Sequence, residues 1–449
     1  MKNNKRICSF LTELTLQKAK VVRLEQIRLL RKWGRNKMRK MKDSGIEWIG
    51  EIPEDWDVIR LRYLCEIFTG NQDTQDNVSD GIYPFYVRSP IVEKSNKYTF
   101  EGPAILMAGD GVGAGKIFHY VDGKYGCHQR VYSLQHIHNV NRRYLYYYLQ
   151  NLFYISIETA NTKSTVDSVR LSMLQDFPIA MPTFEQQQIA DFLDEKVSQI
   201  DSTISKTRES IEEYKKLKQA IITEAVTKGL NPNAKMKNSG IEWIGEIPED
   251  WEIRRTKFIA NSMHKGNGIT KEQIVQDGDS PCVRYGEIYS KYDNVFYECK
   301  TRTNKSFYNV LQYFSFGDIL FACTGELPEE IGKNIVYLGN EKCLAGGDII
   351  VLSHSQEPRF LSYVYNSYGQ TQKSCGKTKL KVVHISASEI ANIFVALPPL
   401  SEQQQISDYL DKKCSEIDKL ITKKEQLVVE LEAYKKSLIY EVVTGKRSV

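Results

Sequence analysis

Nowhere does this sequence approach the roughly 18 consecutive apolar residues that a membrane-spanning helix needs, and its N-terminus lacks the apolar core of a secretory signal. These absences argue against membrane spanning and export, and the expected location is the cytoplasm. The nine cysteines are odd in number, scattered, and form no C-x-x-C pair. That argues against a disulfide framework or a structural zinc site and leaves reduced thiols. Acidic residues are scarce at one end only. Residues 1 to 40 carry 13 Lys and Arg against Glu13 and Glu25, a charge of +11, while the whole chain is +5 and the remaining 409 residues sum to −6. A nucleic-acid partner must therefore be held by local basic patches or by the N-terminal arm, because the net charge of the body does not attract it.

Motifs of catalysis are missing as well. "GDGVGAGK" (Gly109 to Lys116) has Asp110 where a Walker loop needs its first glycine and Ile117 where it needs Ser or Thr. The dinucleotide version requires a helix to open there, whereas "KIFHYV" reads as a strand. What remains is a Gly-rich turn suited to close approach of a nucleic-acid backbone. No Asn-Pro-Pro-aromatic or Asp-Pro-Pro-aromatic tetrapeptide of amino-group methyl transfer occurs; "NPNA" at Asn231 lacks the second Pro and the aromatic. Acid–lysine pairs such as Glu93-Lys94 arise by chance in a sequence that is 26% charged. His119, His128, His136 and His138 cluster without the spacing of a metal site and read as surface or strand residues. No catalytic residue and no metal ligand is assigned.

What is present is a repeat. "MKDSGIEWIGEIPEDW" (Met41 to Trp56) returns as "MKNSGIEWIGEIPEDW" (Met236 to Trp251), identical at 15 of 16 positions and 195 residues later. "PTFEQQQIADFLDEKVSQID" (Pro182 to Asp201) is matched by "PLSEQQQISDYLDKKCSEID" (Pro399 to Asp418) at an offset of 217, so the second copy is 22 residues longer between its ends. A period this long and only two copies exclude a solenoid. Similar ends enclosing divergent middles indicate a duplicated domain with constant mechanical parts and variable surfaces.

After each Glu-Gln-Gln-Gln, no Pro or Gly interrupts the sequence until Gly229 and Gly445. Apolar residues recur there at spacings of three and four: Val197, Ile200, Ile204, Ile211, Tyr214 and Ile221 in the first copy, and Ile417, Ile421, Val428, Leu431, Leu438 and Val442 in the second. This pattern predicts two helices of about 40 residues, roughly 60 Å each, with coiled-coil seams. A lone helix cannot bury such a seam. The expected partner is the other helix, antiparallel, in a pseudo-twofold arrangement; the alternative has each helix packing on its own domain. Lys218 and Lys435 interrupt the seam at equivalent positions, where burial would weaken it and fix its register.

The middles, about 57 to 181 and 252 to 398, read as mixed α/β domains. "PAILMA" and "GDILFA" are apolar strands, followed by "KIFHYV" and "NIVYL". Helices are expected at "RYLYYYLQNL" from Arg143 and "RFLSYVYNSY" from Arg359, each followed by a polar basic loop, "TANTKSTVDSVR" (Thr159 to Arg170) and "GQTQKSCGKTKLK" (Gly369 to Lys381). Of 26 tyrosines, 22 lie in these middles, which suits hydrogen bonding to phosphates and base edges and equally suits ordinary strands. "YVRSP" and "CVRYG" place Arg88 and Arg284 at nearly the repeat offset, as fold-buttressing ion pairs or as DNA contacts.

Two half-repeats, each a variable domain followed by a long helix beginning Pro-x-x-Glu-Gln-Gln-Gln-Ile, together with the "EAVTKGLNPNAKMKNSGIEWIGEIP" junction, resemble the specificity subunit of type I restriction-modification systems. The resemblance covers nearly the whole chain from Met41. It implies α/β (α+β) target-recognition domains in two copies, joined by two long antiparallel coiled-coil helices. The expected division is a basic extension 1–40, a first recognition domain 41–182, a long helix 183–229, a linker and second recognition domain 230–399, and a second long helix 400–445. The implied function is recognition of a bipartite site in double-stranded DNA by a non-catalytic subunit that scaffolds two modification (methyltransferase) subunits and works with restriction (translocase/nuclease) subunits. No cofactor is expected on this chain; S-adenosylmethionine, ATP and magnesium belong to the partners. Base and phosphate contacts, which the resemblance does not assign, are expected from Lys163, Ser164, Thr165 and Arg170 in the first domain and Lys373, Lys377 and Lys379 in the second, with Gln129, Arg130, Arg88 and Arg284 added. Residues 1–40 depart from the family pattern, being either a basic arm that adds phosphate contacts or a start read too early. Two other classes stay open: a self-sufficient restriction or modification enzyme with divergent motifs, and a coiled-coil assembly protein that does not read DNA.

Overall fold

The computed structural model describes residues 39–160, 168–325, 331–374 and 383–449. Two compact units divide it, Met1–Ser205 with Val428–Val449, and Lys206–Leu427. The division passes through both long helices, Gln186–Lys228 and Leu400–Val443, so each unit holds part of each. Among the described residues no helix is long and apolar enough to cross a membrane.

In the first unit, one four-stranded sheet runs in the order Glu93–Ser95, Tyr83–Tyr86, Lys124–Cys127, Phe100–Glu101, and a second in the order Glu66–Thr69, Val131–Gln135, Ala104–Ala108, Phe118–Val121. Tyr83–Tyr86 and Lys124–Cys127 pair parallel; the other pairings in these sheets are antiparallel. Every residue of Ala104–Ala108 is buried, which explains why this strand reads as a continuous apolar run instead of an alternating one.

The second unit repeats the scheme. Thr301–Thr303, Ser280–Val283, Cys343–Ala345 and Tyr313–Phe314 form the first sheet, again with its two inner strands parallel. Ala260–Lys265, Ile349–His354, Ile319–Ala322, Asn334–Tyr337 and Val295–Phe296 form the other. Part of the extra length of this copy is the helix Tyr285–Ser290 and the strand Val295–Phe296.

The repeated opening segment forms a small hairpin that receives the end of a long helix. Strands Met41–Asp43 and Glu51–Pro53 pair antiparallel, as do Met236–Asn238 and Glu246–Pro248, and each hairpin leads into a fully buried tryptophan, Trp56 or Trp251. In the second unit, Gly229 ends the first long helix with φ +70° and sits so close that a Cβ there would lie 3.2 Å from Trp251. In the first unit, Gly445 ends the second long helix with φ +70°, and a Cβ would lie 2.4 Å from Pro53. Left-handed backbone and lack of space both require glycine at these two ends. Tyr440 Oη then donates to Trp48 O at 3.3 Å, and Lys446 Nζ to Ile49 O at 2.7 Å. The second unit joins helix end to hairpin through residues 230–235, whereas the first makes the same contact between distant parts of the chain. One difference lies beside the tryptophans. Trp251 Nε1 donates to Glu402, but Glu185, the matching residue, takes Arg39 in two bonds of 2.7 and 2.8 Å.

All twelve apolar positions of the helical seam named above are buried or half-buried. Within the second unit, Lys218 Nζ meets the Asp418 carboxylate at 2.7 Å and the Lys424 amine lies over the Tyr214 ring, so the helix segments run antiparallel. Within the first unit, Lys435 Nζ meets Asp201 at 2.6 Å, the same pair with partners exchanged under the 217-residue repeat. The two lysines are thus half-exposed and ion-paired instead of buried, because their long stems let the amines reach the flank of the seam. Each pair contributes under about 1 kcal/mol and acts chiefly on register.

Packing on the domains occurs too. Ile222, Ala225, Val226, Ile406, Leu410 and Cys414 belong to the core of the second unit with Trp251 and Phe360. The domain helices, Arg142–Ala160 and Pro358–Tyr365, add a repeated clamp. Arg143 Nε and Tyr147 Oη both donate to Asp194 Oδ1, at 2.5 and 2.6 Å; Arg359 Nη1 and Tyr363 Oη donate to Asp411, at 2.6 and 2.7 Å.

Candidate nucleic-acid interface

In the first unit, the Gly-rich turn leaves the end of the buried strand Ala104–Ala108. Its amides at Ala114, Gly115, Lys116 and Ile117 all donate to carbonyls within the turn or the strand end, and a strand, Phe118–Val121, follows. Those amides do not converge on a phosphate as a Walker loop's do. The turn instead joins several of the expected contact residues. Gly109 N donates to Arg130 O at 2.9 Å, Val169 N donates to Gly109 O at 2.8 Å, and Asp110 bridges antiparallel to Ser168, beside Arg170. Tyr132 Oη pins the same segment by donating to Val169 O.

Arg88, Gln129, Arg130 and Arg170 are all exposed. Two of them converge on one carboxylate: Arg88 Nη1 lies 3.8 Å and Arg130 Nε 3.7 Å from Asp110 Oδ2. His128 supports the Gln129–Arg130 turn from below. Its Nδ1 accepts the Arg130 amide at 3.0 Å and its Nε2 lies 3.4 Å from Asp73. Burial, with the nearby Arg88 guanidinium, holds its pKa below the ordinary histidine value. The other histidines are engaged separately: His119 with Ser89 O, His136 with Glu66, and His138 with His136 O. Among the described residues, no group of three or more His, Cys, Asp and Glu suits a metal ion.

The second unit has the same backbone frame with different side chains. Thr324–Gly325 pairs with Val383–His384, Ile385 N donates to Cys323 O, and Cys323 N donates to Asp348 O. Thr324, Asp348 and His384 therefore stand where the first unit has Asp110, Arg130 and Ser168. His384 Nδ1 lies 3.2 Å from Thr324 Oγ1, and Lys265 Nζ lies 3.5 Å from Asp348. Beside them opens a cleft of about 990 Å³ whose lining includes Lys215, Lys218, Lys333, Tyr285, Tyr289 and Gln370.

Three sequence expectations change. Lys373 is not an exposed DNA contact but is buried, its amine donating to Gly332 O at 2.6 Å over the Phe321 ring. The segment read as a loop from Gly369 begins as a helix, Tyr368–Ser374, and the four-residue spacing puts Lys373 on the inward face one turn after the buried Gly369. Arg88 and Arg284 are not equivalent. Strand pairing matches Tyr86 with Cys127 and Val283 with Ala345, which aligns Arg284 with Val87 and Arg88 with Tyr285; one residue of slip reverses the face. Arg284 lies 3.9 Å from the buried Glu287, which also binds Lys291 and Thr301, and so buttresses the fold. Lys163, Ser164, Thr165, Lys377 and Lys379, like residues 1–38, lie outside the described residues.

Residues 53–213 and 248–430 match the family described as type I restriction modification DNA specificity domain. The chain belongs to this family. It is similar to the EcoDI type I restriction enzyme specificity subunit of Escherichia coli, 23% identical over 376 residues that cover 80% of this chain and 81% of that protein. It is 27% identical over 421 residues to the MjaVIII specificity subunit of Methanocaldococcus jannaschii, covering 88% and 93%. A solved structure concerning assembly and conformational transition of the type I R-M system shares the fold, with TM-score 0.65 at 16% identity, over 87% of this chain and 98% of that one.

As a specificity subunit, the chain is the non-catalytic, DNA sequence-recognising member of a type I restriction-modification complex. Sequence reasoning missed Asp110, seen only as a defect in a Walker pattern, and Lys265, Tyr285, Thr324, Asp348 and His384, which carry no motif. In this specificity subunit they become visible only when strand pairing superimposes the two frames.

Proposed function

We propose that this specificity subunit reads a bipartite DNA site, one half with each unit, while its helix pair sets the spacer and receives two methyltransferase subunits. Restriction subunits join for cleavage. S-adenosylmethionine, ATP and magnesium act on those partners, and the setting is the cytoplasm. One observation carries this reading: the frame Gly109–Asp110 against Ser168–Val169 recurs as Cys323–Thr324 against His384–Ile385 with unlike side chains. A shared frame with unlike side chains suits two positions that each read a different short sequence, with phosphate contacts giving position and base contacts giving choice. Equivalent seams and clamps in both units likewise suit two copies of one partner.

Mapping methylated bases in cells that express this chain with its methyltransferase tests the proposal. The expected result is a motif of two specific half-sites separated by a non-specific spacer of fixed length. A continuous motif contradicts two-unit reading. Methylation without sequence preference leaves the chain an assembly protein.

A further inference from the structure

Asp110, Arg88 and Arg130 form an arrangement the fold does not consume. At 3.8 and 3.7 Å, the guanidinium nitrogens stand beyond the about 2.7–2.9 Å of a charge-assisted hydrogen bond. All three groups therefore keep hydrogen-bonding capacity. They are also accessible, with side-chain exposures of 43% for Arg88, 63% for Arg130 and 29% for Asp110.

The backbone that carries them is fixed. Asp110 is bridged to Ser168, and Arg130 is held through its carbonyl by Gly109 N and through its amide by His128. Gly111, with φ +75°, adds no side chain beside the Arg88 guanidinium. The major-groove edge of a G·C pair presents two acceptors on guanine, N7 and O6, and one amino donor on cytosine, N4. A guanidinium fork answers the first two, and an adjacent carboxylate answers the third. A second guanidinium beside them meets the neighbouring phosphate.

We propose that Arg88, Arg130 and Asp110 read a G·C base pair in the half-site taken by the first unit, one arginine on guanine and Asp110 on cytosine. This rests on the bipartite reading above and goes one step further, to the identity of a base pair. The two units differ at this point. The positions aligned with Arg88, Asp110 and Arg130 are Tyr285, Thr324 and Asp348, which lack the guanidinium forks, so the second half-site is not read in this way.

The test is the methylation map of cells carrying the methyltransferase with wild-type chain, Arg88→Gln, Arg130→Gln or Asp110→Asn. For Asp110→Asn and at least one arginine variant, discrimination in favour of G·C falls about 10-fold or more at one position of one half-site, the same position in each. The other half-site and the spacer stay unchanged, which also reports that the protein remains folded. A bipartite motif unaltered by all three variants overturns the proposal alone. So does an equal loss of methylation at every site, since that marks a role in holding the unit together. A wild-type chain giving no bipartite motif overturns the functional reading and the proposal with it.

Discussion

Trp251→Ala lowers the stability of the unit Lys206–Leu427 by about 3–5 kcal/mol, the cost of emptying a site filled by a large aromatic side chain. Trp251 is fully buried, lies edge-on to Phe360 with ring centroids 6.5 Å apart, and donates Nε1 to Glu402 at 3.1 Å. Gly229 closes over it at the end of the first long helix. Removing the indole thus opens a cavity, strips the partner from a carboxyl whose pKa burial already raises, and frees the helix end. Trp251→Phe keeps most of the volume and loses only the hydrogen bond, about 1–2 kcal/mol. Urea unfolding of both variants, followed by hydrogen exchange of residues 236–248, checks this. A loss below 1 kcal/mol for the alanine variant contradicts the role assigned to the repeated hairpin.

Lys373→Met stabilises the same unit by about 2 kcal/mol at pH 7, which for a unit of this size is a rise of roughly 4–8 °C in Tm. The buried Lys373 ammonium is pulled down from the ordinary 10.5 to about 7 by desolvation. A base whose folded pKa is lowered binds its proton less well folded than unfolded. The resulting destabilisation is absent above about pH 10.5, grows as pH falls and is complete below about 7, where it reaches about 4–5 kcal/mol. Methionine removes that penalty but leaves the Gly332 carbonyl without its donor, which returns about 1–3 kcal/mol. The Tm difference between variant and wild type therefore shrinks, and can change sign, as pH rises from 7 toward 10. Affinity for DNA stays the same. A drop in DNA affinity at unchanged Tm would restore Lys373 to the DNA-contact surface.

Lys373 also illustrates what the sequence hides. The long helices were legible because a three-four apolar spacing sustained over about 40 residues has few structural solutions. The apolar strands Ala104–Ala108 and Ile319–Ala322 were legible because burial on both faces excludes polar residues. Lys373 looked solvent-facing because charge is normally exposed; only its place one helical turn after the buried Gly369 turns it inward. The pairing of Arg88 with Arg284 failed for a related reason, since the second copy is longer and a one-residue shift within a strand is invisible in sequence but decisive for side-chain direction. Asp110 could not be ranked among many acidic residues, because its importance comes from two arginines distant in sequence. The repeated "GIEWIGEIPEDW" was conspicuous, yet its purpose, to receive a helix end against a buried tryptophan, depends on Gly229 and Gly445 far along the chain.

The central claim is that the two long helices determine the spacing between half-sites. Deleting one heptad from each, residues 206–212 and 423–429, leaves the pairs Asp201–Lys435 and Lys218–Asp418 in register with each other. It removes about 10 Å of helix, equivalent to roughly 3 base pairs. Methylated bases mapped in cells carrying this variant should give both half-sites unchanged with an altered spacer. Unchanged half-sites with an unchanged spacer would contradict the account.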